Sequence, residues 1–152
     1  MGTLKDLGHY KDTVKHILYQ SDNVNELLYD APRNREDFAN HVKSHLFVEE
    51  ILEEQGTFVF YDAYVPRVHT NTKTVVMSVW CICSKDILDG SYKKDNYPGN
   101  RADILAQFVE EAMLSKGNKQ RFGVGFDLTN TDFYNGKKYY GVVLSFTAEC
   151  FR

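Results

Sequence analysis

The sequence predicts an α+β fold: a mixed or antiparallel sheet of about four strands packed on one central helix, with an additional N-terminal helix. Three observations predict it. Residues 58–68 and 73–85 (FVFYDAYVPRV, KTVVMSVWCICSK) and residues 121–130 and 137–151 (RFGVGFDLTN, KKYYGVVLSFTAECF) are two pairs of strand-like segments. Between the pairs lies one amphipathic segment at 101–115 (RADILAQFVEEAMLS), and residues 4–18 carry another apolar stripe at helical spacing. The 152 residues divide as a single domain into a helical segment at 1–30, an extended arm or long loop at 31–56, and a ββαββ core at 57–152. A chain of this length buries roughly two thirds of its unfolded surface, enough for one core.

The first helix rests on Leu4, Leu7, Tyr10, Val14, Ile17 and Leu18, with lysines and aspartates between them and Thr3 placed to cap. A second helical turn is expected around Val24, Leu27 and Leu28, begun by Asp22 or Asn23. The next stretch is polar and broken by Pro32. It holds only a partial helical pattern at Phe38, Val42, Leu46 and Phe47, and long connections of this kind are often functional or interface-forming. In the last two strands Phe122, Val124, Phe126 and Leu128, then Tyr140, Val142, Leu144, Phe146 and Ala148, alternate with small or polar residues. Asn135-Gly136 marks the turn between them.

The first two strands differ from this pattern. Val59, Tyr61, Ala63 and Val65 alternate with Phe58, Phe60 and Tyr64, and Val76, Trp80 and Ile82 with Val75, Met77 and Val79, so both faces are apolar and both need cover, the second from the N-terminal helix or a neighbouring subunit. Pro98-Gly99 precedes the central helix, Asn100 can cap it, Asp103 complements its dipole and Gly117 can end it. Its stripe of Ile104, Leu105 and Phe108 is expected to form the core with Phe126, Val142, Leu144 and Phe146.

Composition narrows the function classes. A net charge of -3 and a pI near 5.9 argue against a protein that wraps nucleic acid. The apolar runs are strand-length, short of the roughly 20 residues that cross a bilayer, and no secretory h-region is seen at the start. Asp6 stands where a myristoylation signal needs Ser or Thr. Three cysteines without framework spacing read as free thiols in a reducing compartment. Ten Tyr and ten Phe exceed the needs of one small core and lean toward oligomerisation.

Motifs that could carry chemistry each have a simpler reading. His41, His45 and Glu49 follow one helical row, but the acid of a zincin motif is missing and no further ligand is indicated, so no metal is expected. Cys81 and Cys83 share one side of a strand without a cationic neighbour, as buried small hydrophobes do. Gly123-Val124-Gly125 lies inside a strand with no helix after it, so it is no phosphate loop; close approach of a backbone or ring is the better reading. Glu49, Glu50, Glu53 and Glu54, like Glu110 and Glu111, read as solvated faces. No catalytic residue and no cofactor is expected.

YDAYVPRV at 61–68, KTVVMSVWCICSKD, GNRADILAQFVEEAM at 99–113 and YYGVVLSFTAECF together resemble small neck proteins of tailed bacteriophages, of the tail-terminator or tail-completion, head-to-tail joining type. The residues that carry this are the strand ending in Val-Pro-Arg-Val, the Arg101-X-Asp103 at the helix start and Tyr140-Gly141. The resemblance covers residues 58–152 and, in outline, the N-terminal helix. It implies a structural virion protein made in the host cytoplasm. That protein would form a homo-oligomeric ring, commonly a hexamer, between the tail tube protein and the head connector or head-closure protein. DNA would pass through the lumen unbound, and no membrane would be involved. The expected subunit contacts fall on the two-sided hairpin at Tyr61, Tyr64, Arg67, Trp80 and Ile82. The rival reading is a small cytosolic ligand- or protein-binding module, with Tyr61, Tyr64 and Trp80 forming an aromatic groove.

Overall fold

The structure is a computed structural model and describes residues 3–29, 38–45 and 55–151. Two helices come first, α1 (Thr3–Gln20) and α2 (Asp22–Tyr29), then a short α3 (Phe38–His41) and a two-residue strand β1 (Val42–Lys43). The long hairpin β2 (Thr57–Val68) and β3 (Thr72–Ser84) follows. After it come α4 (Arg101–Leu114), the single turn α5 (Lys116–Lys119) and the second hairpin, β4 (Val124–Asn135) and β5 (Tyr139–Phe151). The fold is α+β, with a five-stranded mixed sheet in the order β1-β2-β3-β5-β4. β1 runs parallel to β2 and every other pairing is antiparallel. The fifth strand, β1, lies in the stretch expected to be an arm. None of the described helices is long and apolar enough to cross a membrane.

The two hairpins join through β3 and β5, paired from Thr72↔Phe151 to Ser84↔Tyr139. Because directly opposed residues share a face, the rungs Val79↔Leu144 and Met77↔Phe146 put the expected core on one side. All three long helices cover that side, so α1 joins α4 there and, contrary to expectation, does not cover the second face of the first hairpin. Val14, Ile17 and Leu18 of α1, Val24 and Leu27 of α2, and Ile104, Leu105 and Phe108 of α4 are buried there. Phe126 stacks between Phe122 and Phe146, with ring centroids 4.4 and 5.5 Å apart. Val142 is only half-buried, standing opposite Phe133 of β4, the strand that α4 barely reaches.

The start of α4 is built from local signals. Asn100 Oδ1 accepts from the Asp103 N–H at 2.9 Å and Asp103 Oδ2 accepts from the Asn100 N–H at 3.0 Å, a reciprocal capping box. Arg101, between them, is 2 % exposed. Its Nε donates to Thr57 Oγ1 at 2.6 Å, its Nη2 to the Leu27 carbonyl at 2.5 Å and its Nη1 to Ser91 Oγ at 3.3 Å. One side chain thus ties α2, β2 and the β3–α4 connection to the helix start, which gives the Arg-X-Asp pattern a structural reason.

Several expectations are corrected. Gly117 does not end the central helix; α4 stops at Leu114, with Ser115 in an extended conformation, and Gly117 lies inside α5. The alternation expected through Gly123-Val124-Gly125 breaks, because β4 shifts register between Val124 and Asp127. Residues 38–45 of the supposed arm are docked, with Phe38 and Val42 buried and the Phe38 ring 5.2 Å from that of Tyr19. Leu46, Phe47, Glu49, Glu50, Glu53 and Glu54 lie outside the described residues.

Candidate functional site

With α1, α2 and α4 on one side of the sheet, the other side is the candidate surface. Phe58, Phe60, Ile82 and Tyr139 form a compact apolar cluster at one end of it, with Trp80 and Tyr134 half-buried against them. His41 and His45 cover this cluster. The His41 ring stacks on Phe58 at 5.4 Å while its Nδ1 donates to the Thr57 carbonyl at 2.8 Å, and the His45 ring lies 5.5 Å from Phe60. The histidine row therefore serves as packing. Among the described residues no three of His, Cys, Asp and Glu converge as a metal site would require.

Further along the same face the residues turn to hydroxyls, with Ser78 opposite Ser145 and Val76 opposite Thr147. Thr129 and Thr147 share a 2.7 Å hydrogen bond, and Thr74 Oγ1 donates to Glu149 at 2.7 Å. The surface thus runs from an aromatic end to a polar end. The Trp80 and Tyr134 rings, 6.2 Å apart, stand at the boundary.

Of the residues expected at subunit contacts, Tyr64, Arg67, Trp80 and Ile82 lie on this side of the sheet and Tyr61 does not. Tyr61 points to the helix side and is 5 % exposed, its phenol pKa raised by burial and by Asp12. Residues 61 and 64 are three apart on a strand, so their side chains leave opposite faces. Ile82 lies on the open side but is fully buried in the chain itself, filling the space a side chain at Gly141 would need: a Cβ there would collide with Ile82 Cδ1. Tyr61 and Ile82 are therefore used by the subunit's own packing. Tyr64, half-exposed, Arg67, exposed, and Trp80, half-buried, remain accessible. The three aromatics of the rival groove, Tyr61, Tyr64 and Trp80, line no common surface.

The thiols are buried and unlinked. Burial pushes the Cys81 thiol pKa up, which favours the protonated, unreactive form. Cys150 Sγ donates to the Phe122 carbonyl at 3.1 Å.

Two of the hollows among the described residues lie on the helix side. The larger, about 620 Å³, opens between α1, the turn before β4 and the end of β5, and is lined by Asp6, Tyr10, Arg121, Phe122 and Cys150 among others. Beside it the fully buried Lys73 ammonium is ion-paired with Asp6, whose carboxyl is held below its usual value chiefly by that hydrogen bond. Burial, then the Cys150 contact, pushes the Tyr10 phenol up. Lys73 escaped notice in the sequence. Its parity with Val75 and Met77 was the available signal that it points inward. The smaller hollow, about 310 Å³, is a groove between α4 and β4, with Leu128, Val142 and Leu144 on its floor and Asp103 and Glu110 on its rim.

A protein-family model described as YomW matches residues 10–148, from within α1 to near the end of β5. No curated protein matches the chain.

Proposed function

We propose, from the premise that this chain belongs to the YomW family, a phage-associated one, that it is a structural virion protein of a tailed-phage neck. It forms a homo-oligomeric ring that terminates the tail tube and joins it to the head connector, and DNA passes through the lumen. It has no enzymatic activity. It is made in the host cytoplasm and ends in the neck of the virion.

The observation that carries this reading is the face of the sheet that none of α1, α2 and α4 covers. A subunit that works alone has little reason to leave Tyr64 half-exposed on the sheet face opposite α1, α2 and α4. An oligomer has one, since aromatic rings supply contact area at interfaces. The exposed Phe133 and Phe151, 65 % and 82 % accessible, add to the surface that partners would cover. Acidic balance also suits a lumen that lets a phosphate backbone slide without holding it.

Light scattering behind size exclusion tests the assembly. A particle of several times the 17.6 kDa chain mass, annular in negative stain, is expected. A strictly monomeric species, alone and with purified tail tubes, would contradict the reading.

A further inference from the structure

We infer that the tip of the β2–β3 hairpin, carrying Arg67 and Val68, seats in the groove between α4 and β4 of a second copy of this chain. This rests on the ring reading above and names the contact that closes the ring.

The groove exists because α4 covers β3 and β5 and leaves β4 nearly bare on the helix side. Leu128, Val142 and Leu144 form an apolar floor, and Asp103 and Glu110 make the rim acidic. Phe133 stands opposite Val142 in the register and so on the same face, extending the floor with a ring that is 65 % exposed. Glu110 has no hydrogen-bond or ion-pair partner among the described residues. At about 310 Å³ and open to solvent, the groove is at the small end for a cofactor-sized molecule but has room for a few side chains.

The hairpin tip complements it in chemistry and sign. The β2 register shifts between Tyr64 and Arg67, across Pro66, which bends the strand end away from regular pairing. Val68 is 47 % exposed, and Arg67 is exposed with no ion-pair partner among the described residues. Arg67, opposite Thr74, and Val68, opposite Lys73, leave opposite faces of the tip, so that once the tip is seated the cation faces the Glu110 side of the groove and the apolar residue faces its floor.

The two cannot meet within one subunit. β3 and β5 stand between β2 and β4, three inter-strand steps or roughly 14 Å. A patch on one flank that fits a patch on the opposite flank makes a heterologous contact, the kind that closes into rings. Strand addition is the less favoured alternative. Asp62 Oδ1 accepts from the Ala63 N–H and Asp132 Oδ1 from the Phe133 N–H, each at 2.8 Å, so each flank strand has a backbone donor already occupied.

Charge reversal tests the contact in the full chain, with circular dichroism confirming that each variant is folded. Sedimentation velocity over a concentration series should show Arg67→Glu and Glu110→Lys each moving half-assembly to at least about tenfold higher concentration. Both changes in one chain should restore wild-type assembly, as should an equimolar mixture of the two single variants. Independently, Val68→Cys with Thr131→Cys should give a reducible intermolecular ladder on mild oxidation, because the native cysteines are buried. A wild-type oligomer unchanged by either reversal, with no ladder, would overturn this contact and leave the ring reading standing. A wild-type chain that stays monomeric and forms no ladder would overturn both.

Discussion

Replacing Arg101 by Lys should cost about 2–3 kcal/mol of stability and by Ala about 4. Among the described residues Arg101 reaches acceptors on Thr57, Leu27 and Ser91 in different directions through the fork of its guanidinium. The 2.6 Å bond to Thr57 Oγ1 and the 2.5 Å bond to the Leu27 carbonyl are short and charge-assisted, each worth about 1.5–3 kcal/mol when buried, while the 3.3 Å contact with Ser91 adds little. Leu27 lies in the last turn of α2, where carbonyls have no intrahelical donor, so the loss leaves an orphaned acceptor. A lysine keeps the charge but places its donors on one nitrogen and holds one of the two strong bonds at most. Alanine loses both and the packing of the stem. Urea unfolding followed by far-UV circular dichroism gives these differences directly. Arg101→Ala within about 0.5 kcal/mol of wild type, the range of an ordinary surface substitution, would refute the clamp.

Asn100→Ala removes half of the capping box and should cost about 1 kcal/mol in the same assay; no measurable change would mean that the helix start is held by Arg101 alone. Gly141→Ala must push its Cβ against Ile82 and the Cys81 carbonyl, and a loss of about 1–3 kcal/mol is expected from overpacking. The ion pair of Asp6 with Lys73 predicts a pH dependence. The folded Asp6 pKa lies below its usual 3.8, so its contribution is present above pH about 4 and is lost as pH falls through the folded value. Melting temperatures of Asp6→Asn and wild type should therefore differ at neutral pH and converge in acid; a gap that ignores pH would contradict the assignment.

Elements set by local chemistry were the ones legible in the sequence. The central helix announced itself through Pro98-Gly99, the Asn100 cap and an apolar stripe, and β5 through its clean alternation. Strand parity also separated Tyr61 from Tyr64, although grouping them as one surface ignored it. What stayed hidden depends on distant partners. β1 is two residues long and exists because Val42 and Lys43 lie beside Val59 and Phe60, which no local pattern reports. Arg101 reads locally as an ordinary first-turn residue, and its burial follows from the place where α2 ends and β2 begins. Apolar residues on both faces of the first hairpin correctly signalled a need for cover. Among the described residues part of that cover is internal, from His41 and His45, while Tyr64 and Arg67 stay exposed.

The most direct measurement of the central claim is electron microscopy of phage lysates in which this chain alone is deleted from the phage genome. The expected result is full heads beside unattached tails of uncontrolled length, reversed when the chain is supplied in trans. Tails of normal, fixed length still joined to heads would contradict a role in the neck.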